Sequence, residues 1–223
     1  AHTANLGRTY LQLDAQGRQR FLTVLSTDFG LNHNHVVEAA QAYIGCEDTT
    51  KMHKLEIALR EAMVTPRSVI LKQFTDLPDG FKFLVDMRSD VMGLVASHPD
   101  LKPLDYDLKQ VLSGWFDVGL LDLVEVTWES PAALLEKLIE YEAVHKVNSW
   151  DDLKNRLDSD RRVFAFLHNK MPLEPLIFVH VALVPEMSGN IQQLLDEKAP
   201  SFDVKNANTA IFYSISNAQK GLT

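Results

Sequence analysis

Three short apolar runs late in the chain, Val163–Leu167, Ile177–Leu183 and Thr209–Ile215, follow a long stretch whose apolar residues recur every three or four positions. The three-and-four spacing puts side chains on one face of a helix. A short, contiguous, β-branched and aromatic run instead suits a strand. The sequence therefore predicts a mainly α-helical amino-terminal domain, a helical bundle over 1–157, and a strand-rich α+β region over 158–223. Three strands with one side helix make a poor core by themselves, so the second region reads as the beginning of a larger domain.

Within the helical part, Phe21, Leu22, Leu25 and Phe29 form one stripe, stopped at Gly30. Val36, Val37, Ala40 and Ile44 form another, with Asn34 as its expected cap and Gly45 as its stop. Thr50 is expected to cap the segment carrying Leu55, Ala58, Leu59 and Ala62. Thr65-Pro66 joins a cap to a proline at the first helical position, where the missing N–H costs nothing. Leu77-Pro78-Asp79-Gly80 reads as a turn. Phe81 to Val95 gives the longest helix, and Leu108, Val111, Leu112 and Trp115 give the next. Ser130-Pro131 repeats the cap-then-proline pattern ahead of Leu134, Leu135, Leu138 and Ile139. Ser149 is expected to cap a short helix whose first turn carries Asp151 and Asp152, where acids favour the dipole. Gly189 to Leu195 reads as a short helix between strands.

Charge narrows the function classes. A formal net charge of −8 repels a phosphate backbone, and Asp160-Arg161-Arg162 is the densest basic spot, so no nucleic-acid partner is expected. No apolar run approaches the roughly 20 residues that span a bilayer, and no membrane association is expected. The first residues lack a secretory pattern, which favours a cytoplasmic or already processed protein. The single Cys46 excludes an intrachain disulfide and a thiolate metal cluster, and no basic neighbour or helix start would activate it.

Local chemistry signatures are sparse. His33 and His35 point to different faces of a helix, and neither HExxH, CxxC nor GxSxG occurs, so no metal site or cofactor is expected. His180, inside an apolar strand run, reads as a satisfied core histidine. Glu174 reads as a surface carboxylate in a turn. Glu140, Glu142 and His145 cluster at one helix end, where a histidine suits the dipole.

Longer motifs say more. Trp128-Glu129-Ser130-Pro131, Tyr141-Glu142-Ala143-Val144-His145 and Trp150-Asp151-Asp152-Leu153-Lys154 resemble the junction segment of malonyl-CoA decarboxylases. Glu174 to Leu183 resembles that family's EPLIFVEVAL strand, and Thr209 to Asn217 its TAIFYSISN signature, with Gly221-Leu222 at the family's spacing. Asp28-Phe29-Gly30 and Ser113-Gly114-Trp115-Phe116 match less specifically.

The resemblance implies a helical oligomerisation domain, hence a homo-oligomer, followed by a GNAT-like catalytic domain. It implies a carboxy-lyase of fatty acid metabolism that converts malonyl-CoA to acetyl-CoA and carbon dioxide. The compartment would be cytoplasmic, or mitochondrial or peroxisomal in a eukaryote. After the FYSIS strand the family carries a glycine-rich loop that cradles the CoA pyrophosphate. Gln219 to Thr223 looks like the approach to that loop, and Thr223 matches its first position. No residue here matches the family's catalytic serine and histidine, which are expected downstream. The isolated chain is therefore expected to be inactive. His180 stands where relatives carry Glu or His, and it receives no catalytic role. If the isolated chain did turn over, His180, Glu174 and Ser216 would be the residues to mutate. Two other readings compete: a non-catalytic helical interaction module, and a CoA-binding acyltransferase relative.

Overall fold

A computed structural model describes residues 2–196 and 201–222. The chain divides into two compact units, with the dividing line between Trp115 and Phe116.

The first unit is helical: α1 (His2–Gln12), α2 (Ala15–Thr27), α3 (His33–Ile44), α4 (Thr49–Ala62), α5 (Pro66–Phe74), α6 (Gly80–Leu94) and α7 (Lys102–Ser113). Its core is the expected stripes, with Leu22, Leu71, Leu84, Leu104 and Leu108 fully buried. α3 and α4 pack on one another, yet α3 buries no residue fully and Ile44 remains 81% exposed. The caps follow chemistry more closely than position. Asn32, not Asn34, receives the His35 N–H, and Asp48 receives the N–H and the hydroxyl of Thr50, which the sequence had cast as the cap. Thr65 caps α5 as expected, accepting the Ser68 N–H at 3.1 Å, with Pro66 next. Its hydroxyl also donates to Asp107 at 2.9 Å, and Asp107 pairs with the buried Arg67 at 2.6 Å. Thr65→Ala therefore loses both a cap and a buried hydrogen bond. A loss of about 1–2 kcal/mol is expected, seen as a lower urea midpoint at unchanged slope.

The second unit opens with β1 (Leu121–Val126), then α8 (Ala132–Tyr141), α9 (Trp150–Arg156), β2 (Arg161–His168), β3 (Ile177–Val184), α10 (Ile191–Leu194) and β4 (Thr209–Asn217). The four strands form one antiparallel sheet in the order β1-β2-β3-β4. β1 is the element the sequence reading lacked. Its full-length pairing with β2, Leu121↔His168 to Val126↔Val163, groups it with the sheet. The expected change of character at 157 thus lies inside this unit rather than at its start. Ser149 caps α9 as expected, but Ser130 does not cap α8: its hydroxyl takes the Thr127 N–H, and Pro131 holds the cap position without a side-chain bond.

One sheet face is covered. Val126, Val163, Ala165 and Phe178 pack against Leu134, Leu135 and Leu138 of α8 and Leu153 of α9. On the other face Leu123, Phe212 and Ile215 stay 60%, 65% and 62% exposed. A bulge between His180 and Val181 lets β4 carry one extra residue, so Tyr213 and Ser214 are both buried in succession.

Candidate functional site

The covered face of the sheet carries the polar groups. His180 of β3 stands opposite Ser214 of β4, and Phe178 opposite Ser216. Directly opposed residues share a face, so both serines lie with His180 beneath the end of α8. There the chain leaves the helix at Glu142. The Glu142 carboxylate accepts the N–H groups of Val144 and His145, each at 2.9 Å, and the Ser214 hydroxyl at 2.7 Å. Its other oxygen lies 3.1 Å from Nε2 of His180, and both side chains are fully buried. That contact is close but not well aligned, because neither atom makes a hydrogen bond of normal geometry. It is an electrostatic pairing first. The Ser216 hydroxyl accepts the Ala143 N–H at 3.2 Å, so the chain leaving α8 is tied to β4 twice.

Burial alone would raise the Glu142 pKa. His180, the His145 N–H and the Ser214 hydroxyl outweigh it and hold the carboxylate down at about 2. Tyr213, with its ring centroid 5.7 Å from that of His180, has its hydroxyl pushed up to about 12 by burial.

A second polar cluster flanks the end of β4. Glu174 accepts the Tyr141 hydroxyl at 2.9 Å and an amide N–H of Gln219 at 3.3 Å, with the Lys137 ammonium 3.4 Å away. Burial works against the Lys137 charge, but Tyr141, Glu140 and Glu174 outweigh it and hold its pKa above the ordinary lysine value. Glu174 is therefore not the surface carboxylate its turn position suggested; it is an acceptor for two side chains. Near the other end of β2, the buried Asp152–Arg156 pair, 2.7 Å apart, ties α9 to the carbonyls of His145 and Lys146.

The sequence-derived candidates distribute as follows. His180 and Ser216 lie on the covered face with Glu142, whereas Glu174 belongs to the second cluster. His145 shares no hydrogen bond with His180; its backbone N–H serves Glu142. Glu140 pairs with Lys137 on the surface of α8. Cys46 donates to the Asp48 carbonyl at 3.4 Å, in an exposed loop before α4. Thr223 lies outside the described residues. Among the described residues no three His, Cys, Asp or Glu side chains group as metal ligands, and no helix is long and apolar enough to cross a membrane. Glu142 was named only within a cluster at a helix end and Gln219 only within the approach to a loop, so the buried partners of both were missed. For Glu142 a signal existed: a histidine inside an apolar strand requires a polar partner. For Gln219 the sequence holds none.

Comparison with known proteins meets this geometry from outside. The family model described as malonyl-CoA decarboxylase N-terminal domain matches residues 29–116, and that of the C-terminal domain matches 119–223. The two matches meet beside the dividing line of the compact units. A mitochondrial malonyl-CoA decarboxylase of Anser anser anser is 37% identical over 99% of this chain and 46% of its own length. The enzyme of that name from Rattus norvegicus is 35% identical, over 94% of this chain and 44% of its own. A malonyl-CoA decarboxylase crystal structure from Rhodopseudomonas palustris superposes with a TM-score of 0.93 at 36% identity, covering 99% of this chain and 53% of that one. The chain spans about half the length of these relatives.

Proposed function

We propose, from the premise that this chain belongs to the malonyl-CoA decarboxylase family, that the protein it represents converts malonyl-CoA to acetyl-CoA and carbon dioxide. The single observation that carries the reading is the pair of domain matches, which together run through both compact units. The structure supports it with a helical unit followed by a four-stranded antiparallel sheet, the start of a GNAT-like α+β fold.

Loss of carbon dioxide from the malonyl group leaves an electron pair that delocalises onto the thioester carbonyl as an enolate. A proton then returns to carbon and completes acetyl-CoA. The reaction needs hydrogen-bond donors aimed at the enolate oxygen and an acid placed near the new methyl group. One oxygen of Glu142 takes three donors, and Ser214 and Ser216 are engaged with Glu142 and the Ala143 N–H. Their part is framework: they lock α8 to β3 and β4, the strand from which the chain runs toward the CoA phosphates in this reading. The helical unit, with apolar side chains left exposed along α3 and α4, serves in assembly of like subunits. We place the protein in the cytoplasm, or in the mitochondrion or peroxisome if its source is eukaryotic.

The test is acetyl-CoA formation and carbon dioxide release from malonyl-CoA by the natural polypeptide that contains this chain, beside the 223-residue chain alone. Turnover is expected from the natural polypeptide. A natural polypeptide that binds CoA yet releases no carbon dioxide would instead favour the acyltransferase relative. Assembly is read by light scattering, where a strict monomer would remove the oligomerisation role.

A further inference from the structure

Two indole rings of the second unit stand half in solvent. Trp128 and Trp150, each 44% exposed, meet edge to face with ring centroids 6.1 Å apart. Both are set on fixed backbone. Trp128 lies in the turn between β1 and α8, where the Ser130 hydroxyl accepts the Thr127 N–H and the Thr127 hydroxyl accepts the Glu129 N–H. Trp150 opens α9 directly after its Ser149 cap. Beside them is a cleft of about 350 Å³, lined by Trp128, by Asp151, Lys154 and Asn155 of α9, and by Leu157 and Asp158 just past the helix end. Helical residues three and four apart share a face. The inward face of α9 is Asp152, Leu153 and Arg156, all buried. The face that carries Asp151, Lys154 and Asn155 is therefore the outward one.

Within this cleft Lys154 already places its ammonium over the Trp128 ring, 5.9 Å from the centroid. That is the outer limit of a cation–π contact, so the face attracts a cation and holds its present one loosely. Two carboxylates, Asp151 and Asp158, outnumber that ammonium. The Ser201 hydroxyl, and then the Ser159 N–H, hold the Asp158 pKa below the ordinary aspartate value. An indole face beside fixed carboxylates suits a planar cation on an apolar stem. A guanidinium stacks on the indole and reaches a carboxylate through paired N–H groups, which an ammonium does not. Tryptophans are also among the residues that carry most binding energy at protein interfaces. We propose that this cleft docks an arginine-bearing segment of a partner protein, its guanidinium displacing Lys154 from the Trp128 face and lying between Asp151 and Asp158. The formal net charge of −8 draws a basic segment toward the surface, and the cleft selects arginine once it arrives. The proposal goes beyond the decarboxylase reading and does not depend on it.

The sample is the natural polypeptide that contains this chain, and the probe is fluorophore-labelled hexa-arginine amide, read by anisotropy at about 0.15 M salt. Hexa-lysine and hexa-glutamate amides are the comparisons. Hexa-arginine is expected to bind most tightly and hexa-glutamate not at all. Trp128→Leu keeps an apolar side chain but removes the π face, and should weaken hexa-arginine about ten-fold. Asp151→Asn with Asp158→Asn should weaken it as well. Lys154→Gln is the sharpest test. It frees the indole face and removes a like charge, so it should tighten binding about three-fold, a gain that a merely structural lysine would not give. If Trp128→Leu does not fold, the two substitutions of surface charge carry the test. General attraction to a negative protein would make hexa-arginine and hexa-lysine equal and leave Trp128→Leu without effect, which overturns the proposal. So would weaker binding by Lys154→Gln, or no binding of hexa-arginine to the natural polypeptide. A smaller assembly for Trp128→Leu in light scattering, with peptide affinity unchanged, would make the cleft a contact between like subunits and overturn it too.

Discussion

Replacing Glu142 by alanine is expected to destabilise the chain by about 3–5 kcal/mol, the scale for leaving two backbone N–H groups and a hydroxyl buried without their charged acceptor. The carboxylate takes two backbone N–H groups and the Ser214 hydroxyl, and faces His180 at 3.1 Å with both side chains fully buried. Alanine leaves those donors without an acceptor in a site water does not reach, and each unsatisfied group adds to the cost. Glu142→Gln keeps an acceptor oxygen while losing the charge, so its cost should be smaller. Acid distinguishes the charge from the packing. The folded-state pKa is depressed from 4.5 to about 2, so the stabilisation is fully present above about pH 4.5 and lost as pH falls through about 2. A shift of that size corresponds to stabilisation on the order of 3 kcal/mol. Urea titrations of wild type and Glu142→Ala at several pH values should therefore converge between pH 4.5 and 2. A gap that stayed constant to pH 2 would show that the charge contributes nothing. A gap below about 0.5 kcal/mol at neutral pH would show that the network is idle.

What the sequence disclosed and what it hid divide along one physical line. Signals carried within a few residues were legible. Thr65 and Ser149 cap their helices because the acceptor and the N–H groups it serves lie three residues apart. The runs near 163, 177 and 209 are strands because their side-chain character alone favours a pleated, buried surface. Where two capping residues lie within two positions, as at Asn32 and Asn34 or Asp48 and Thr50, composition does not choose between them. Backbone geometry does. β1 was missed because Leu121-Asp122-Leu123-Val124-Glu125-Val126 alternates only briefly and is followed by a strong helical stripe. Its identity as a strand is fixed by β2, whose partners lie some forty residues downstream. The polar clusters are the extreme case. Glu142 finds Ser214 at a separation of 72 residues, and Glu174 finds Gln219 at 45, so neither pairing leaves a local trace. Recognition of the family motifs located the β4 segment correctly but said nothing of what anchors it.

Gly80→Ala is the second large effect, and it exposes the same limit in the helical unit. The sequence marks Leu77-Pro78-Asp79-Gly80 as a turn, where a glycine is commonly explained by backbone freedom. In the structure the left-handed residue is Asp79, at φ 57°, and Gly80 is already the first residue of α6. Its requirement is space. A Cβ there would lie 1.7 Å from the Phe74 carbonyl oxygen and 2.8 Å from the carbonyl carbon. That oxygen caps the end of α5 by accepting the Leu77 N–H at 3.0 Å. No flexible side chain can yield, so α5 and α6 must part, although Phe74 and Phe81 on either side of the contact are each 2% exposed. A loss of more than about 4 kcal/mol is expected, in the range where core disruption abolishes folding of a marginal unit. Gly93→Ala supplies the control in the same helix. A Cβ there meets nothing within 4 Å, so the change should stabilise by about 0.5–1 kcal/mol through helix propensity. Far-ultraviolet circular dichroism with urea titration of both variants reads the contrast. Two variants that shift the midpoint in the same direction would mean that propensity, not the approach of α5 to α6, governs Gly80.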